Sequence, residues 1–199
     1  GFRALYADEQ YEQALTLYEN TLSKVGGNAR KAEQCVRDDL RNAWAQYQEA
    51  AIDRTQMETA CAAAEKYPAL EGDLAALKPQ LTLLYASRAA YEEGCRLLEA
   101  GQYLDAIAQF SSMSENDTLY IEGTDKSQEA RQGYCQQIVT QTGTLMEQSQ
   151  YEDAMTAVEE ALTRLPEDAT LTAQKEVIYS AYKDYRKQTS MAEAQAALD

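Results

Sequence analysis

One short pattern returns five times in this chain of 199 residues: an aromatic residue or Met, two residues, Ala, three residues, then an apolar residue. It reads Tyr11-Ala14-Tyr18, Met57-Ala60-Ala64, Tyr103-Ala106-Phe110, Tyr151-Ala154-Val158 and Met191-Ala194-Leu198, with starts 46, 46, 48 and 40 residues apart. A repeat of that length marks a stacked array, in which one unit cannot bury its own apolar face and needs a neighbour. The small Ala lets two helices approach closely, and the ring before it fills the wedge between successive units.

The elements between these motifs are helical. Only 9 Gly and 3 Pro interrupt the chain, and its commonest residues lose little rotamer freedom in a helix. Alternating runs of β-branched residues, the mark of strands, are lacking. The expected fold is all-α, a superhelical stack of antiparallel helix pairs with about nine helices, forming a single domain over 1–199. Short helices are predicted over 10–23, 55–67, 103–112, 151–164 and 190–198. Long ones are predicted over 29–52, 73–99, 125–148 and 168–187.

Local signals set the boundaries. Gly26-Gly27-Asn28 ends one helix and offers Asn28 as the next N-cap, and Asp168 plays that part after Pro166. Both lie 17 residues after a motif Tyr. Asp125 with Gln128 forms a capping box, and Pro68 stops the second short helix. Pro79 requires its long helix to start late or bend. The stretch 111–124 reads as the one long loop, with Leu119, Tyr120 and Ile121 tucked back onto the array.

At Gly101-Gln102-Tyr103-Leu104-Asp105-Ala106 the chain resembles a tetratricopeptide repeat. Ser149-Gln150-Tyr151-Glu152-Asp153-Ala154, continuing to Pro166, resembles it again, and so does Glu9-Gln10-Tyr11-Glu12-Gln13-Ala14. The Met57 and Met191 units are weaker matches. The resemblance implies a solenoid over essentially the whole chain, divergent because its period exceeds the family's roughly 34 residues and because Gly94 is the clearest remnant of the first-helix signature. It implies a curved surface, lined by the long helices, that holds a peptide or another protein.

Chemistry is thinly represented. With no His at all, His-dependent triads and helical di-iron sites are excluded. The pairs Asp38-Asp39, Glu92-Glu93 and Glu159-Glu160 point about 100° apart on a helix and read as solvated faces. Cys35, Cys61, Cys95 and Cys135 have no C-x-x-C spacing and read as free, buried apolar residues. No catalytic residue, cofactor or metal is expected. A formal net charge of −15 disfavours nucleic acid and anionic membranes and favours a basic partner.

The function expected is therefore a non-catalytic module for protein or peptide interaction, a scaffold or adaptor. The alternative is a mechanical spacer carrying another domain away from a membrane or wall. Large aromatics anchor interfaces, so Trp44, Tyr47, Tyr85, Tyr91 and Tyr134 on the long helices are the candidate partner contacts, with Tyr179 and Tyr182 on the last one, where Tyr185 continues the stripe. The opening Gly1–Ala7 reads as the closing turns of a helix that starts upstream, in a longer protein. An upstream anchor would suit an extracytoplasmic domain of a bacterial surface protein, whereas four unpaired cysteines suit reducing surroundings.

Overall fold

A computed structural model describes residues 1–196. Among these residues the structure is all-helical: α1 (Phe2–Ala7), α2 (Tyr11–Asn20), α3 (Gly26–Gln48), α4 (Arg54–Ala64), α5 (Glu71–Glu99), α6 (Tyr103–Ser111), α7 (Tyr120–Glu147), α8 (Tyr151–Arg164) and α9 (Ala169–Ala196). Single 3-10 turns at Leu22–Lys24 and Pro68–Leu70 precede α3 and α5. The chain divides into two compact units. The first comprises Gly1–Glu92 and Ser112–Gly123, the second Glu93–Ser111 and Thr124 onward.

One turn recurs with the same hydrogen bonds at three places. At the end of α1, Gln10 N–H donates to the Leu5 carbonyl (2.8 Å) and Glu9 N–H to Tyr6 (3.1 Å), with Glu9 at φ 58. The same bonds run from Gln102 to Leu97 and Gly101 to Leu98, with Gly101 at φ 71. They run again from Gln150 to Leu145 and Ser149 to Met146, with Ser149 at φ 61. This is the Schellman closure, which satisfies the orphan carbonyls of a helix end through one left-handed residue. In all three, the Gln carbonyl then accepts the N–H of the motif Ala, so Gln begins the next helix. Leu lies six residues before each motif Tyr because its carbonyl closes the turn. A fourth closure, at Ala50, leads into a longer connection. There Asp53 and Gln56 form a reciprocal capping box that opens α4.

The motif alanines line the helix contacts. Ala14, Ala106 and Ala154 are fully buried and Ala60 nearly so. In the second unit the close approach is absolute. A Cβ on Gly94 would fall 2.6 Å from the Phe110 ring, and one on Gly133 would fall 2.4 Å from the Tyr103 ring. The first unit instead packs tyrosines: Tyr47 and Tyr67, each 2% exposed, join Met57, Leu70 and Val36 in its core.

Several predicted boundaries are corrected. α3 starts at Gly26, capped by the Val25 carbonyl, so Gly26, Gly27 and Asn28 form its first turn. The break falls earlier, at Thr21 and the 3-10 turn. α5 runs through Pro79 and starts earlier than drawn, not later. α7 starts at Tyr120, so Asp125 and Gln128 lie within it; Asp117 opens it, accepting the Leu119 N–H (3.1 Å). The loop shrinks to 112–119, and Ile121, expected to tuck inward, is 75% exposed. α9 is one helix where two were expected, since Lys187-Gln188-Thr189-Ser190 contains no Gly or Pro to stop it. The fifth motif consequently forms no packed unit: Met191 is 63% exposed and Ala194 is exposed, while Leu198 lies outside the described residues. Asp168 does cap α9, accepting the Thr170 and Leu171 N–H groups.

Candidate interaction sites

The aromatic candidates of the first unit converge on one cluster around Tyr47. Trp44 and Tyr85 pack half-buried on the core, with the Tyr85 ring 5.4 Å from Tyr47 and nearly perpendicular to it. Arg54 stacks over Tyr85 at 4.5 Å and Arg88 over Tyr47 at 4.3 Å. Burial pushes the Tyr85 hydroxyl up to about 12, and it raises Tyr47 as well, against the pull of Arg88. Arg88 also donates to the Gln48 carbonyl at the end of α3, where a cation meets the negative pole of the helix. It lies 3.6 Å from the fully buried carboxylate of Asp117, and Thr118 donates to the same Gln48 carbonyl. This cluster fastens the 112–119 loop to α3. Tyr47 is thus a core residue, a correction to its expected place on a binding face. Tyr91 is half-buried and donates to Glu122 at 2.6 Å.

In the second unit the expected stripe on α9 is divided. Tyr182 and Tyr185 pack on Tyr151 of α8, with ring centroids 5.7 and 5.0 Å away, and Tyr182 donates to Glu152. Tyr179 faces outward at 60% exposure. Tyr134 is half-buried, its hydroxyl raised by burial and eased by Arg164. A depression of about 740 Å³ runs beside Tyr103, Gly133, Gln136 and Thr140.

A cleft of about 770 Å³ belongs to the first unit and was not anticipated. Phe2, Tyr6, Leu22 and Ala32 give it an apolar floor, and Arg3, Lys31, Asp38 and Asp39 give it a charged rim. Asp39 separates it from a smaller pocket of about 310 Å³ bounded by Tyr6, Glu9 and Tyr11. Burial, then the nearby Glu9, raises the Asp39 carboxyl above its ordinary value. Burial and Asp39 raise Tyr6 and Tyr11. Asp39 had been expected on a solvated face, and it is instead half-buried. The signal was present in the spacing: Ala32, Cys35, Val36, Asp39, Leu40 and Ala43 fall at the i, i+3, i+4 positions of one α3 stripe.

The four cysteines are free. Cys135 is buried, and Cys35, Cys61 and Cys95 are half-buried, more open than expected. Burial and a hydrogen bond to Asp168 push the Cys135 thiol up to about 11. Among the described residues no group of three or more His, Cys, Asp or Glu is placed to hold a metal ion, and no helix is long and apolar enough to cross a membrane. No family model, curated protein or solved structure matches the chain.

Proposed function

We propose that this chain is a tetratricopeptide-like superhelical array that acts as a non-catalytic scaffold, taking a peptide or protein segment against its long helices. The repeated turn at Glu9, Gly101 and Ser149, each leading into a buried motif Ala, supports the array. The observation that carries the binding role is the cleft of about 770 Å³ on the long helix α3, with apolar floor and charged rim. Concave sites of that volume, mostly apolar with a few placed polar groups, are where ligands and peptides settle. The net charge of −15 favours a partner of opposite sign.

A random-peptide display library selected against the whole chain tests this reading. Enriched peptides are expected to bind in solution and to lose binding when the exposed rim residues Lys31, Gln34, Asp38 and Asn42 are changed together to Ala. Helicity by circular dichroism should stay unchanged. Failure to enrich any peptide, or full binding by the rim variant, would remove the cleft as an interaction site.

A further inference from the structure

We infer that the pocket of about 310 Å³ bounded by Tyr6, Glu9, Tyr11 and Asp39 receives a cationic side chain, a lysine ammonium or an arginine guanidinium, from the partner. This rests on the reading of the chain as a peptide-binding array, and it states what such a partner must present.

Two carboxylates line the pocket and no Lys or Arg does. Asp39 forms no ion pair and accepts no hydrogen bond among the described residues, yet it is half-buried beside the like charge of Glu9. A carboxylate held in that way is costly until a cation offsets it.

Tyr6 is a second and separate observation. It is 3% exposed, it lines the pocket, and its hydroxyl has no hydrogen-bond partner among the described residues. The hydroxyl is not one of the sealed, unpartnered atoms of this unit, so it stays open to the space it lines and can accept a hydrogen bond there. An ammonium or guanidinium uses that opening, since its N–H groups donate both to Asp39 and to the Tyr6 oxygen.

The walls suit the same occupant. The Tyr6 and Tyr11 rings, 4.9 Å apart at 69°, both line the pocket, and aromatic rings attract cations. Asn42 and Gln46 add neutral polar groups, leaving the carboxylates to set the charge preference. The pocket adjoins the larger cleft through Tyr6 and Asp39, so a segment lying in the cleft can insert one basic side chain without leaving it.

The test is a titration of the 15N-labelled chain, followed by amide shifts, with three probes: acetyl-Gly-Lys-Gly-amide, the same peptide with norleucine for lysine, and n-butylammonium. The lysine peptide is expected to shift the amides of Glu9, Tyr11, Asp39 and Asn42, the norleucine peptide to leave them in place, and butylammonium to bind more weakly. Asp39→Asn should weaken the lysine peptide by about tenfold or more with the spectrum otherwise native. Equal binding of the norleucine peptide, unchanged affinity in Asp39→Asn, or tighter binding of butylammonium than of the peptide overturns the assignment. Display-selected peptides that bind the cleft with no need for Lys or Arg would sink this inference and leave the interaction role standing. Absence of binding by any selected peptide would remove the role itself.

Discussion

In the first unit the largest fully buried side chains include Tyr47 and Tyr67, whereas in the second they are Leu171, Ile178 and Val158. Tyrosine carries a hydroxyl into the core, and the consequences are uneven. The Tyr67 hydroxyl, Arg88 Nε and Asp117 Oδ2 are buried without a hydrogen-bond partner, and all three belong to the first unit. The second unit satisfies its buried Thr142 twice, through the Ile138 carbonyl and the Gln174 amide, and it seats rings directly on glycine. The contrast teaches where each unit is vulnerable: the first chiefly to changes in charge and hydrogen bonding, the second to volume added against its rings. The close approach in the first unit, at Gly123, instead meets the flexible end of Met113.

The largest effect should come from Arg88→Ala. It leaves the Asp117 carboxylate buried and uncompensated, so urea denaturation should report a loss of about 3–5 kcal/mol, with the Tyr47 environment lost first. Pairing it with Asp117→Asn should recover a large part. A single variant as stable as the parent would break the claim that this pair anchors the first unit.

Added volume should act on the second unit. Gly94→Ala drives a Cβ into the buried Phe110 ring, and a loss of about 1–3 kcal/mol is expected. The same change at Gly143, where nothing stands within 4 Å of the added Cβ, should be neutral or mildly stabilising. Similar losses at both positions would erase the packing distinction.

The repeated turns sharpen the comparison at smaller cost. Gly101→Ala places a Cβ at φ 71 and should cost about 1 kcal/mol. Ser149→Gly, at φ 61 in the equivalent turn, should gain up to about 1 kcal/mol. Thermal melts of the two variants should move in opposite directions, and parallel shifts would mean that the turns are not equivalent.

Asp39 supplies the pH-dependent member of the set. Its folded-state value is raised, so the native state holds the proton more tightly than the unfolded chain. Stability from this group is present below the ordinary value of 3.8 and is lost as pH rises through the raised one. Asp39→Asn should therefore be more stable than the parent at neutral pH, with the gap closing as acid is added. A constant gap across that window would show that Asp39 carries no desolvated charge.

Much of the helical pattern was written locally. The Leu, Gln, Tyr and Ala of each turn act within ten residues of one another, so their spacing alone disclosed the hairpins, and the buried Ala followed. The aromatic candidates were less legible, because a Tyr on a long helix reads the same whether it faces a partner or the core. Tyr47 went inward and Tyr179 outward for reasons that lie on other helices. Asp39 was hidden by its neighbour Asp38, since an acidic pair suggests solvent even when one member sits on the apolar stripe.

What the amino-acid order determined by itself is the helical class, the turns that close through one left-handed residue, and the acidic balance, because each depends on residues close in the chain or on simple composition. Only the tertiary structure decided that Tyr47 would turn inward, that Asp117 would be buried against Arg88, and that Glu9 and Asp39 would share a pocket with Tyr6. Those outcomes depend on which surfaces meet across distant segments, and burial, not local preference, sets the free energy of each.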